Sequence, residues 1–192
     1  MIMKVRAKYL KLTDEKNALD FLEKAYFFIS KTETDVFAWK WVVLCLHSAL
    51  YGFLIAALKG TDWQNVVYKT KKYYKLISFN EALKRCQDPN EMRKTVFSQH
   101  LHLNQEEKDA IKLLKETLRN NFEHYIPKGW FIELHGLPNM CLQVLSVISF
   151  LALETRNYQN LNTTMRRKIK SYIFQSKKII KASQLYKETL NF

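Results

Sequence analysis

The chain has 192 residues, 47% of them hydrophobic, with only 4 glycines and 3 prolines. That is enough for one domain with a real core, too apolar for a disordered chain, and too poor in turn formers for a β-rich fold. Lys plus Arg is 31 against 18 Asp plus Glu, a net charge of +13. A surplus of this size repels itself in a compact state and points to an anionic partner: nucleic acid first, anionic membrane second, an acidic protein third. A merely soluble basic surface is the alternative.

In chain order, residues 14–31 carry Leu19, Leu22, Ala25, Tyr26 and Ile29 at helical spacing. Thr32 or Thr34 is expected to cap the next helix, which runs to about Lys59 and stops at Gly60. Its stretch Trp41–Leu58 has no charged residue and reaches the lower limit for a bilayer span. His47, Ser48 and Gly52 interrupt it, and no second such stretch is expected, so the reading is a central helix buried on all sides, with no membrane partner.

Residues 61–77 read as a connection. Within it Lys69, Lys71, Lys72 and Lys75 interleave with three tyrosines, Tyr68, Tyr73 and Tyr74. Stacking rings beside cations suit single-stranded nucleic acid, although a solvated loop has the same composition. Ser78–Glu81 and Asp88–Pro89 are helix starts, and Asn104–Glu107 opens a longer helix whose apolar face is Ile111, Leu114, Leu118, Phe122 and Tyr125. Pro127 and Gly129 are expected to end it. After the extended piece FIELHG, Pro138 starts an apolar helix to about Glu154.

Thr163 is expected to cap a last helix to about Lys187, with a stripe of Met165, Ile169, Tyr172 or Ile173, and Ile180. Its other face holds Arg166, Arg167, Lys168, Lys170, Lys177, Lys178 and Lys181. Without repeats or linkers, the chain reads as one all-α domain, a single helical bundle over residues 1–192 with its core at about 14–188.

Familiar catalytic motifs are missing. There is no phosphate-cradling glycine loop, no nucleophile elbow and no H-E-x-x-H; His100 and His102 have no carboxylate partner at ligand spacing. Cys45, Cys86 and Cys141 form no C-x-x-C, and Cys45 and Cys141 sit in apolar runs. No metal or other cofactor is expected. The thiols favour a reducing compartment, and the opening MIMKVRAKYLKLTDEK lacks an apolar leader, so the expected location is the cytoplasm.

What remains is RNNFEHY at the end of the fifth helical segment. Arg119 and Glu123 are i,i+4 neighbours, as are Asn120 and His124. Arg119 and His124 lie about 140° apart on an ideal helix, so they converge only if the helix end unwinds or a second chain faces the first. Cleaving RNA without a metal needs a base for the 2′-OH, an acid for the leaving 5′-oxygen and a fixed cation for the phosphorane. Histidine serves the first two and arginine the third. The competing reading is a helix end with a surface ion pair and a histidine favoured by the helix dipole.

Arg119-Asn120-Asn121-Phe122-Glu123-His124 fits the R-x4-6-H signature of the HEPN family, in the variant with a polar residue after the arginine. KWVVLCLHSALYGFLIAALKG and RNNFEHYIPKGW also resemble segments of bacterial HEPN proteins. The resemblance implies an α-helical bundle acting as a homodimer with a composite active site. It implies a metal-independent endoribonuclease that leaves a 2′,3′-cyclic phosphate, of the kind found among toxins and anti-phage effectors, with an antitoxin or regulatory protein as a further partner. Arg119 and His124 would be catalytic and Asn120 would position them. RNA would meet Lys69, Lys71, Lys72, Lys75, Arg166, Arg167, Lys177 and Lys178, while His47 and Glu123 would line the cleft.

Two alternatives stay open: a non-catalytic module binding nucleotide, RNA or protein through the same cleft, and a membrane-surface protein using the last basic helix. For His47 the alternative is a hydrogen-bonded core histidine. His135 has no assigned place, and Trp63 and Trp130 read as core or dimer packing.

Overall fold

The computed structural model describes residues 9–124, 127, 129–157 and 161–190. Tyr125, the last residue of the expected apolar stripe, lies outside the described residues.

Helix α1 (Asp14–Ile29) starts where the Thr13 hydroxyl accepts from the Lys16 amide, with Asp14 and Glu15 complementing the dipole in the first turn. Helix α2 (Ala38–Lys59) starts without a side-chain cap. Thr32 and Thr34 do not cap it, because their hydroxyls donate back to the carbonyls of Ile29 and Lys31. The turn between α1 and α2 instead uses Asp35, whose carboxylate accepts from the Phe37 amide at 2.9 Å. Gly60, at φ 55°, ends α2 in a conformation few other residues adopt.

As its composition requires, α2 is the central helix. It packs against α1, against the later helices α3 (Phe79–Cys86) and α7 (Gly136–Leu153), and against the segment that carries Arg119. Leu46, Leu50, Phe53 and Leu54 are completely buried. Helices α1 and α2 approach closely at Gly52, where a Cβ would stand 2.7 Å from that of Ala18. Lys59, the last residue of α2, ties it to the start of α1, with its ammonium 2.6 Å from Asp14 and 2.9 Å from Glu15.

Residues 61–77 are more ordered than a connection. A 3₁₀ turn (Trp63–Val66) leads into a small antiparallel hairpin, β1 (Val67–Lys69) and β2 (Tyr74–Leu76), paired Val67 to Leu76, Tyr68 to Lys75 and Lys69 to Tyr74. The β-branched and aromatic residues of VVYK and YYKL favour this conformation. Helices α3 (Phe79–Cys86) and α4 (Pro89–Met92) begin at the expected caps, Ser78 and Asp88.

Helix α5 (Gln105–Lys112) opens with a reciprocal capping box between Asn104 and Glu107. It continues as a π-helix (Leu113–Arg119) and a last α-turn, α6 (Asn120–Glu123). Leu114 and Leu118 are buried, and Phe122 packs edge-on against Trp130.

Helix α7 (Gly136–Leu153) is a second helix long and apolar enough to cross a membrane, where the sequence reading expects only α2. Most of each lies buried within the bundle, which core helices share with membrane spans. Helix α8 (Thr163–Ala182) is capped by Asn162 rather than Thr163. It stops earlier than expected, because the Ser183 hydroxyl caps a separate helix, α9 (Gln184–Thr189). Ile169, Ile173 and Ile180 face the core. The fold is a single mostly α-helical unit, as expected from composition.

Candidate functional site

Between α1, α2, β2 and the π-helix lies a cleft of about 280 Å³, lined by Asp14, Asn17 and Phe21, by His47, Ser48, Tyr51, Gly52 and Ile55, by Leu76, and by Arg119 and Glu123. His47, Tyr51 and Ile55 recur every fourth residue, with Ser48 and Gly52 beside them, so α2 presents a polar and small-residue notch in an otherwise apolar surface. The Tyr51 hydroxyl donates to the carbonyl of Ile77 and ties the foot of the hairpin to this notch.

Arg119 closes the opposite wall. Its side chain is 28% exposed, and one terminal nitrogen lies 2.6 Å from the Glu123 carboxylate. The other donates to the Asn120 side-chain oxygen at 3.0 Å. Its Nε is buried with no hydrogen-bond partner among the described residues. Asn120 therefore holds the guanidinium rather than the imidazole of His124. Glu123 takes one arm of the fork that a phosphate would use and Asn120 takes the other.

His124 takes the position after α6, where the backbone leaves the helix at φ −113° and ψ 52°. Its side chain is exposed and is not part of the cleft wall. Within one chain, then, the structure brings Arg119, Glu123 and His47 together and leaves His124 outside.

His47 is only 7% exposed and stacks on Phe79, ring centroids 4.9 Å apart. Burial, reinforced by the positive charges of Arg119 and Lys115, lowers its pKa to about 4. It is therefore a neutral imidazole at physiological pH. Asp14 brings a negative charge to the cleft, but that charge is paired with Lys59.

Lys69, Lys71, Lys72 and Lys75 are all exposed on the hairpin, whose Leu76 borders the cleft. Tyr73 is exposed at the turn, Tyr74 meets the edge of the half-exposed Trp63, and Tyr68 lies under the guanidinium of Arg85. The positions on α8 divide. Arg167 and Lys178 are exposed, Arg166 donates from Nε to the Leu161 carbonyl, and the Lys177 ammonium donates to the Ser146 hydroxyl at 2.8 Å. Burial, with Lys181 nearby, lowers the pKa of Lys177.

His135 bonds Glu133 at 2.7 Å and lies 3.5 Å from Glu188, away from the cleft. His100 and His102 pack against each other with ring centroids 4.1 Å apart and planes tilted by 56°. All three cysteines are buried, with their thiol pKa values raised by desolvation.

Sequence reasoning missed Asp14, Asn17 and Tyr51. Tyr51 had a signal, four residues after His47 on the same helical face; Asp14 and Asn17 reach the cleft only through the packing of α1 on α2. Compared with family models, characterised proteins and solved structures, the chain matches none of them.

Proposed function

We propose that the protein is a metal-independent endoribonuclease of the HEPN type, acting as a homodimer. The observation that carries this reading is Arg119, a fixed guanidinium in the wall of a cleft, followed five residues later, just past the helix end, by the exposed side chain of His124. The 2′-hydroxyl gives its proton to one imidazole as the O2′–P bond forms. The P–O5′ bond breaks, and the leaving oxygen takes a proton from a second imidazole. A second copy across a two-fold axis supplies that second His124. Arg119, steadied by Asn120, meets the charge on the phosphorane once the phosphate replaces Glu123.

The hairpin lysines beside the cleft would hold flanking phosphates. The expected home of such an enzyme is the cytoplasm, as a toxin or defence effector under an antitoxin or regulatory protein. A second reading, a non-catalytic RNA- or nucleotide-binding module, is favoured by Glu123, which already neutralises Arg119.

Incubating purified protein with total RNA in EDTA separates the two. Cleavage should persist under chelation, and Arg119→Ala or His124→Ala should each lower its rate by about 100-fold or more. Activity that vanishes in EDTA and returns with magnesium, or a fully active His124→Ala, would reject the ribonuclease mechanism. RNA binding that depends on Arg119, without cleavage by the wild type, would select the binding module.

A further inference from the structure

His47 sits mid-helix, 7% exposed, in the wall of the 280 Å³ cleft. Its stack on Phe79, 18° from parallel, fixes the ring plane. Yet its ring nitrogens make no hydrogen bond among the described residues, unlike Tyr51 one turn further on. Those nitrogens are not among the fully buried unpaired atoms, so they open onto the cleft. A polar ring left without a protein partner on a cavity wall is placed for something that is not part of the chain.

Arg119 lines the same cavity; its Nε is fully buried and unpaired among the described residues, so the terminal nitrogens are what it can offer a ligand there. A nitrogen donor and a guanidinium facing one small space suit a phosphoryl group. The remaining wall suits what is attached to it. Phe21, Ile55 and Leu76 are apolar, while Asn17 and Ser48 offer hydroxyl and amide partners. The volume is at the lower end for ligand cavities, of the order of one nucleotide.

We propose that His47 and Arg119 form, within a single protomer, a binding site for the phosphate of one nucleotide unit of RNA, in which the His47 imidazole hydrogen-bonds the phosphate that Arg119 pairs with. The choice of a ribonucleotide rests on the ribonuclease reading; the phosphate site itself does not. His124 need not enter this cleft, which leaves it free to act at the next position along the strand.

The charged and titratable groups around His47 are Arg119 and Lys115 from the π-helix, Glu123 from α6, Asp14 from α1 and Tyr51 from α2 itself. Asp14 is paired with Lys59 and Glu123 with Arg119. In the free protein the neutral imidazole avoids adding a third positive charge beside Arg119 and Lys115. A bound phosphate reverses that field and raises the affinity of the ring for a proton.

The test follows the His47 Cε1–H resonance by NMR through a pH titration, with and without a 2′-deoxy dinucleotide that cannot undergo 2′-OH attack. The expected result is a shift of that resonance on binding and a rise of its midpoint from about 4 toward the ordinary value. Inorganic phosphate should produce a smaller shift, and a nucleoside 3′-monophosphate a larger one, if the apolar wall takes the nucleoside. His47→Phe keeps the ring stack on Phe79 and should bind the dinucleotide at least about 10-fold more weakly; His47→Gln, which keeps an N–H, should recover part of the loss.

A His47 resonance that does not move while the Arg119 side-chain signals report saturation would overturn the site. So would wild-type affinity in a folded His47→Phe. Should that variant fail to fold, the wild-type titration decides alone. A moving His47 in a protein that cuts no RNA supports the phosphate site and rejects the ribonuclease reading.

Discussion

The buried histidine also makes stability depend on pH in a predictable direction. His47 titrates near 4 in the folded chain and near ~6.5 when unfolded. Between those values the unfolded state binds more protons, so the contribution of His47 is complete above the unfolded pKa and is lost as pH falls, by up to ~3 kcal/mol. Glu15 adds a second stage. Burial pushes its carboxyl up, but the Lys59 hydrogen bond and charge outweigh this and hold it at about 2. Its contribution is present above the unfolded carboxylate pKa and disappears at lower pH. Urea unfolding at pH 7, 5, 4 and 3 should show both losses, and His47→Phe should remove the first and keep the second. A variant that loses stability between pH 7 and 4 as steeply as wild type would show that another group controls that range. Glu123→Gln should bind the 2′-deoxy dinucleotide a few-fold more tightly, because the carboxylate charge that pairs with one arm of the Arg119 guanidinium is gone. Weaker binding would assign Glu123 to positioning Arg119.

At the scale of elements, two local features set the cleft. The first is the contact of α1 with α2 at Gly52. Gly52→Ala gains about 1 kcal/mol of helix propensity. Its Cβ, however, would stand 2.7 Å from that of Ala18, and overpacking of this kind costs about 1–3 kcal/mol. The clash should win, so Gly52→Ala should melt lower than wild type, and Ala18→Gly should restore part of the loss in the double variant. The second feature is the π-helix Leu113–Arg119. Bonding from i to i+5 accommodates one more residue per turn than an α-helix, and such segments gather at functional sites. Deleting the exposed Glu116 should return the segment to α winding and leave the following residues near their present orientation, because the wide turn already absorbs the extra residue. Helix content by circular dichroism and dinucleotide binding should then both hold; lost binding would show that Arg119 reaches the cleft only from the wide turn.

The whole molecule carries +13, and that charge is unevenly committed. Lys59 serves the α1–α2 contact, and Lys177 is tied to Ser146, whereas the four hairpin lysines are exposed beside the cleft. Each phosphate contact on a single strand contributes about 0.7 to the slope of log K against log salt. Changing Lys69, Lys71, Lys72 and Lys75 to Gln should flatten that slope by up to ~3. Changing Lys177 alone should leave it nearly unchanged, and changing Lys178 should affect it only if the strand extends to α8. Equal slopes for wild type and the hairpin variant would place the RNA elsewhere on the surface.

Composition and pattern were sufficient for the all-α class, for α2 as the centre, for its stop at Gly60, and for the starts at Ser78, Asp88 and Asn104. These depend on local chemistry: apolar periodicity, a cap residue, a missing Cβ. Where a backbone amide had several possible acceptors, the sequence was less decisive. Thr32 and Thr34 look like caps but bond backward, and Ser183 divides what reads as one long helix. The short strands at 67–69 and 74–76 exist through pairing with each other, which single-strand periodicity cannot show. The candidate site divides in the same way. Arg119, Asn120 and Glu123 were legible because they are helical neighbours. That Asn120 serves the guanidinium, that His47 rather than His124 shares the cleft with Arg119, and that Asp14 and Asn17 form its far wall were decided only by the packing of α1 and the π-helix against α2, because contacts between segments distant in the chain depend on how whole helix faces fit together.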